Sequence, residues 1–407
     1  MQRVVVTGLG VASSLGCEVE EFWRRLTRGD SGVVALEDEA FASLPTRIGA
    51  VVKGYEERDN FDRKEVRRLS RSSQLAVVAA SQAVRQAGLT EEGIDRTEVA
   101  VLIGSSIGGY SASDDFFRDY YLHGKRGPLI IPTCMNTAPS SNVSIRFGFG
   151  GPLINVDGAC ASGSHSIGYA FNLIRAGALE LALVGGADSP FTLGIMEAWC
   201  ALRVLSERND NPPEACRPFS ADRDGIVLGE GAGVLVLESE ASARKRGREI
   251  LAEVLSYAAS ADCHHLTQPS PDGPARAMQK ALLGAGLQPE QIGYINAHGT
   301  GTPWNDKNET AAIKQVFGKS ANSALVVGNK GALGHAVAAG GALELIGCIL
   351  TLRDRLVPPT INCRAPDPEC DLDYVTAGSR KHEGDLIMSN SFAFGGSNAV
   401  LIIGRYR

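Results

Sequence analysis

Apolar runs of strand length alternate with segments of helical periodicity along the whole chain, and that alternation predicts an α/β protein. Glycine placement agrees: 47 of the 407 residues are glycine, many just after apolar runs, where strand-to-helix corners are tight. The pattern also begins again near Ile250, which suggests two similar halves, 1–249 and 250–407. In the first half, residues 3–11 read as a buried strand running into a glycine turn. Residues 18–29 read as a helix and 30–60 as irregular surface with short strand pieces. A basic cluster at 61–71 leads into an alanine-rich helix at 72–88. Strand 99–103 follows, then the apolar run 152–156, a helix reaching 175, strand 179–184, a polar loop across 205–225, and a segment 226–238 that ends as a strand. Residues 241–247 read as a charged helical connector. The second half reads as strand 250–258, helix 273–285, strand 292–296, helix 306–317, strand 324–328, a small-residue helix 336–352 and a closing strand–turn–strand.

Composition narrows the function. Hydrophobic residues make up 44% and charged residues 21%, ordinary values for a globular protein with ample core. The net charge of -6 leaves no basic excess to neutralise phosphates, which argues against nucleic acid. Nine cysteines, an odd number without any CxxC pair, point to a reduced, cytoplasmic protein rather than a disulfide framework. No signal peptide is visible, and no apolar run approaches the ~20 residues of a membrane helix, so no membrane is expected.

The stretch Gly158-Ala159-Cys160-Ala161-Ser162-Gly163 stands where the apolar run 152–156 gives way to a helix. A buried strand turning sharply there would set Cys160 at unpaired helix-start amides, where a thiolate is stabilised and an oxyanion can bind. The alternative is a buried, inert cysteine. His298 and His335 occupy similar glycine-bordered turns after apolar strands, the positions where α/β folds place their chemistry. A cysteine with two histidines suits a nucleophile and its activators. It also suits a metal site, but no second cysteine or nearby carboxylate shares the loops, so no metal is expected. His165 reads as a packing residue, and His123, His264, His265 and His382 as surface or loop residues. Two competing motifs occur. Gly8 and Gly10 begin a dinucleotide fingerprint, but Ser13 replaces its third glycine. Gly104-Ser105-Ser106-Ile107-Gly108 fits GxSxG, which would make Ser106 a hydrolase nucleophile.

Several strings together resemble the β-ketoacyl-ACP synthases of the thiolase superfamily, in particular the elongating synthase II type. They are the Cys160 string, Arg208-Asn209-Asp210-Asn211-Pro212, Arg217-Pro218-Phe219, Asp222-Arg223-Asp224-Gly225, His298-Gly299-Thr300-Gly301-Thr302-Pro303, Lys330 five before His335, and Asn390-Ser391-Phe392-Ala393-Phe394-Gly395-Gly396. Thiolase itself is less similar, since no second cysteine lies in the closing turn. The resemblance implies a thiolase-like five-layered α/β/α/β/α fold of two similar halves, in which the first half carries the nucleophile and the second both histidines. It also implies a decarboxylating condensation that makes 3-oxoacyl-ACP. Cys160 would carry the acyl group, the amides of Cys160 and Phe394 would hold its oxyanion, and His298 and His335 would donate to the malonyl thioester oxygen. Lys330 would orient His335. Thr300 and Thr302 match pantetheine contacts, and Phe394 a gate. Ile107, Trp199 and Phe392 match substrate-binding positions, and Asp306 and Glu309 buried acids. Lys64, Arg67, Arg68 and Arg208 match positions that dock the acidic carrier. No cofactor is implied beyond the carrier's phosphopantetheine arm. The family is dimeric, which leaves a homodimer or a pair with a sister ketosynthase. Trp199, often phenylalanine in the family, leaves open a specialised polyketide, polyene or nodulation-type pathway, and a non-catalytic carrier-binding subunit is a further alternative.

Overall fold

The computed structural model describes residues 1–54, 61–66 and 68–407, without the side chain of Arg63. Ten strands form the principal sheet: β1 Val4–Ala12, β2 Ala100–Gly104, β3 Leu153–Ile154, β4 Leu181–Asp188, β5 Gly231–Ser239, β6 Ala252–Ala261, β7 Tyr294–Asn296, β8 Leu325–Val327, β9 Leu386–Phe392 and β10 Ser397–Gly404. Their spatial order is β8-β7-β9-β10-β6-β1-β5-β4-β2-β3. Read outward from the centre, one half runs 1-5-4-2-3 and the other 6-10-9-7-8, the same path displaced by five strands. The senses repeat too. β1/β5 and β5/β4 are antiparallel while β4/β2 and β2/β3 are parallel. β6/β10 and β10/β9 are antiparallel while β9/β7 and β7/β8 are parallel. The halves join where β1 meets β6, with Val4 opposite Val254.

The labelled helices are α1 Val19–Arg28, α2 Arg71–Gln86, α3 Tyr110–His123, α4 Ala138–Phe147, α5 Ser162–Arg175, α6 Leu193–Ala201, α7 Asp272–Ala285, α8 Pro303–Phe317 and α9 Gly340–Asp354. Strand side chains alternate between faces, so each strand feeds two cores. Leu102, Val184, Leu235, Ile387, Leu401 and Val327 enter one core together with Ile167 of α5 and Leu343 of α9. Their neighbours Val101, Leu183 and Val236 face α2 instead, and Met388, Val400 and Val326 face α7 and α8. Two central helices therefore lie between the sheet halves and further helices cover each outer face, giving five layers. Burial on every side explains the composition of α9, whose residues 340–352 are all buried.

Three details depart from the sequence expectations. β1 does not end in a glycine turn at Gly8 but continues to Ala12. A Cβ on Gly8 or Gly10 would strike the carbonyls of Ala83 and Ala79, so these glycines let α2 lie directly on the strand. The run before Cys160 is not a buried strand: β3 has only two residues, and Leu153 and Ile154 are each 39% exposed on the sheet's edge. The 336–352 helix begins as a separate 3-10 turn, Val337–Ala339, before α9.

Candidate active site

The chemistry-bearing turns all leave the C-terminal ends of parallel strands, and corresponding strands of the two halves supply them. Ser105 and Ile107 follow β2, and His298 to Thr302 follow β7. Cys160 follows β3, and Lys330 and His335 follow β8. Asp188 closes β4, and Phe394 follows β9. Cys160, His298, His335, Thr300, Thr302, Phe392 and Phe394 line one cleft. The three polypeptide-distant groups thus open onto a shared space.

Cys160 lies in the 3-10 turn Ala159–Ala161 that opens α5, and Ala159 before it holds φ +50. Left-handed backbone at a non-glycine residue is strained and concentrates at functional sites. The amides of Cys160 and Phe394 both point at the sulfur. The expected low thiol pKa is not found. Burial pushes the Cys160 thiol up to about 12, against the positive charge of Lys330 and with the added repulsion of Asp188. Dehydrating a thiolate outweighs the helix-start amides here.

The two imidazole rings lie 5.4 Å apart at 85°. Burial, then the charge of Lys330, holds both well below the ordinary histidine range, so both are neutral. Their tautomers follow from their partners. His335 Nδ1 accepts the Val337 amide at 3.2 Å, and the Lys330 ammonium donates to His298 Nδ1 at 3.3 Å. An accepting Nδ1 leaves the proton on Nε2 in each ring. Lys330 therefore orients His298 rather than His335, contrary to the sequence expectation. It also donates to the His298 carbonyl at 2.5 Å and to Glu344 at 2.7 Å, forming an ion pair buried on both sides.

The other predicted residues fall into three groups. Glu309 accepts the amides of His298 and Gly299 and the side chain of Asn390, and burial pushes it up to about 7. Asp306 accepts the amides of Phe219 and Gly301 beside Arg223, and burial raises it as well. Both acids tie loops together. Ile107 and Trp199 join Met196 and Leu205 in the apolar cluster on Cys160, and Trp199 stacks on Phe394 with centroids 5.9 Å apart. Lys64 and Arg68 are exposed, whereas Arg208 is engaged by Asp222 and Asp224; Arg67 lies outside the described residues. His165 packs as expected, between Tyr257 and Ser397.

Ser106 has no histidine partner; its hydroxyl donates to Asp188 at 3.0 Å, which removes the hydrolase reading. Among the described residues no group of three or more His, Cys, Asp or Glu side chains gathers as a metal site. No helix among them is long and apolar enough to cross a membrane. Sequence reasoning missed Glu344, whose signal was a lone acid in the small-residue helix, and the 262–271 loop. That loop brings His265 and Leu266 to line the cleft, as Trp304 does.

A thiol under two amides, sharing one cleft with two neutral imidazoles in a doubled α/β frame, is the arrangement of a carbon–carbon condensing enzyme of the thiolase-like class. The β-ketoacyl synthase N-terminal domain matches residues 1–243 and the β-ketoacyl synthase C-terminal domain matches 251–364. The chain belongs to the β-ketoacyl synthase family. It is 41% identical over 402 residues to nodulation protein E of Rhizobium sp. (strain N33), covering 98% of both chains. It is 40% identical over 410 residues to 3-oxoacyl-[acyl-carrier-protein] synthase 2 of Synechocystis sp., covering 100% of this chain and 99% of that one. Among solved structures, the ishigamide ketosynthase/chain length factor superposes with a TM-score of 0.93 at 36% identity over the whole of both chains. The chain is accordingly a condensing acyltransferase that joins an acyl thioester to malonyl-ACP and gives 3-oxoacyl-ACP.

Proposed function

We propose that Cys160 is the acyl carrier residue of this condensation and that His298 and His335 are its enolate-stabilising donors. The observation that carries this assignment is the tautomer pair, two buried neutral rings that each offer an Nε2–H. In the first step the Cys160 sulfur forms a bond to the acyl carbon, and the departing carrier thiol takes up the proton. The amides of Cys160 and Phe394 hold the tetrahedral oxyanion. Malonyl-ACP then loses CO2, and the electron pair of the broken C–C bond becomes an enolate whose oxygen receives both Nε2–H donors. Preorganised donors at developing charge are worth far more in a buried site than in water. The enolate carbon attacks the Cys160 thioester and expels the thiolate, which is reprotonated. Neutral histidines suit this role, because a charged ring in a dehydrated pocket would itself have to be stabilised. No resident cofactor enters any step.

For the carrier, the exposed cations Lys64 and Arg68 provide a basic face for an acidic partner. Thr133 donates to the Arg68 carbonyl at 3.1 Å, which places exposed Leu129 and Ile131 beside that face. Thr300 and Thr302 at the cleft wall are assigned to the pantetheine arm, and Ile107 and Trp199 to the acyl chain. The exposed edge strand β3 supports a dimer, either of two copies or with a sister subunit like that named for the ishigamide structure. A second reading beside fatty-acid chain elongation, a specialised acyl pathway, is supported by the 41% identity to nodulation protein E and by the Trp199 ring stacked on Phe394. Intact-mass measurement with acyl-ACPs of graded length tests the assignment. The wild type and His298→Ala should gain an acyl mass that Cys160→Ala does not. His298→Ala should then lose condensation by about a hundredfold or more. Acylation of Cys160→Ala, or condensation by His298→Ala at the wild-type rate, would refute it.

A further inference from the structure

Asp188 is wholly buried at the end of β4 and takes no part in the steps above. Its carboxylate accepts five donors: Ser105 Oγ at 2.8 Å, the Ser106 amide at 3.3 Å, Ser106 Oγ at 3.0 Å, the Ile107 amide at 3.2 Å and the Ala338 amide at 3.0 Å. Four come from the turn after β2 in the first half. The fifth crosses to the turn after His335 in the second half, so one side chain staples the two halves beside the cleft.

The turn that it grips has a counterpart. Ala159–Ala161 and Val337–Ala339 are both single 3-10 turns that open the central helices α5 and α9, and each begins on a residue of positive φ, Ala159 at +50 and Val337 at +46. Cys160 and Ala338 hold the same place in the two turns. In the first half that residue's amide faces the sulfur; in the second it is spent on Asp188. Val337 is β-branched, and the left-handed region is a genuine outlier for such a residue, persisting only where surrounding contacts impose it. Its own amide, one residue before the Asp188 contact, donates to His335 Nδ1.

We propose that Asp188 is a positioning residue for condensation: by holding the Val337–Ala338 turn in its strained conformation, it aims the Val337 amide at His335 and fixes that ring as an Nε2–H donor. The inference rests on the reading of His335 as an enolate donor. Asp188→Asn keeps the shape but turns an NH2 toward part of the donor set, loosening the turn. Malonyl-ACP decarboxylation, followed by CO2 release, should lose about a hundredfold in kcat with little change in KM. Histidine 15N spectra, with the His335 signals assigned by His335→Gln, should show a protonated Nε2 and bare Nδ1 in the wild type and a tautomer mixture in Asp188→Asn. Replacing Ala338 by lactic acid exchanges its N–H for an ester oxygen and leaves every acidic side chain in place. It should reproduce both effects even if Asp188→Asn does not fold. Wild-type kcat and an unmixed Nε2–H signal in either folded variant would overturn the inference alone. A wild type that releases no CO2 would overturn the condensing assignment of His335 and this inference with it.

Discussion

Cys160, the proposed nucleophile, is kept in its unreactive protonation state. It belongs to a buried apolar cluster with Met196, Leu205 and Ile226, and removing water from a thiolate there costs more than the nearby charge of Lys330 and the two amides return. The sign is clear: burial favours the neutral form, so the thiol titrates upward, to about 12, and not downward. Alkylation follows the thiolate fraction. Iodoacetamide inactivation of the free enzyme should therefore keep rising about tenfold per pH unit from pH 7 to 10 without levelling. A plateau near neutral pH would show a thiolate already formed. Acyl transfer must then deprotonate the thiol as the substrate arrives, which ties reactivity to the presence of the correct thioester.

At the scale of elements, close backbone approach decides where the site residues stand. A Cβ built on Gly163 of α5 would come within 2.5 Å of the Ala338 carbonyl, and one on Gly186 of β4 would strike the same oxygen. The start of α5, the end of β4 and the turn after His335 are thus packed backbone to backbone, with Asp188 as the hydrogen-bonded link. Overpacking such a contact costs typically about 1–3 kcal/mol. Gly163→Ala should lower the stability read from urea unfolding by that order. It should slow Cys160 acylation by more than Gly378→Ala, which strains the backbone at φ +96 but meets no atom within 4 Å of a built Cβ. Equal effects at the two sites would mean that this packing does not set the nucleophile's position.

For the whole molecule, the exposed edge is the notable feature. β3 ends the sheet with Leu153 and Ile154 uncovered, and Ile145 of α4 is 78% exposed. An apolar open edge is a ready pairing template. If it is the dimer seam, Ile154→Asp should shift the chain from dimer to monomer in light scattering at micromolar concentration. An unshifted dimer would place the seam elsewhere.

Much of this molecule was legible one residue at a time. The alternation of apolar runs and helical periods identified the layers' elements, and Cys160, His298 and His335 were marked by glycine-bordered turns, because both signals are local. The β2 turn admitted a competing hydrolase reading for the same reason: GxSxG records a tight corner but not what the serine faces, which is Asp188. Lys330 was assigned to the wrong histidine because five residues along the chain said nothing of the fold that brings its ammonium to His298. The sequence by itself determined the alternating elements, the order of the motifs and the residue types available for chemistry. Only the tertiary structure decided the tautomers, the thiol's protonation and the role open to Asp188. Those depend on burial and on partners from both halves, and neither exists until the sheet has closed around its central helices.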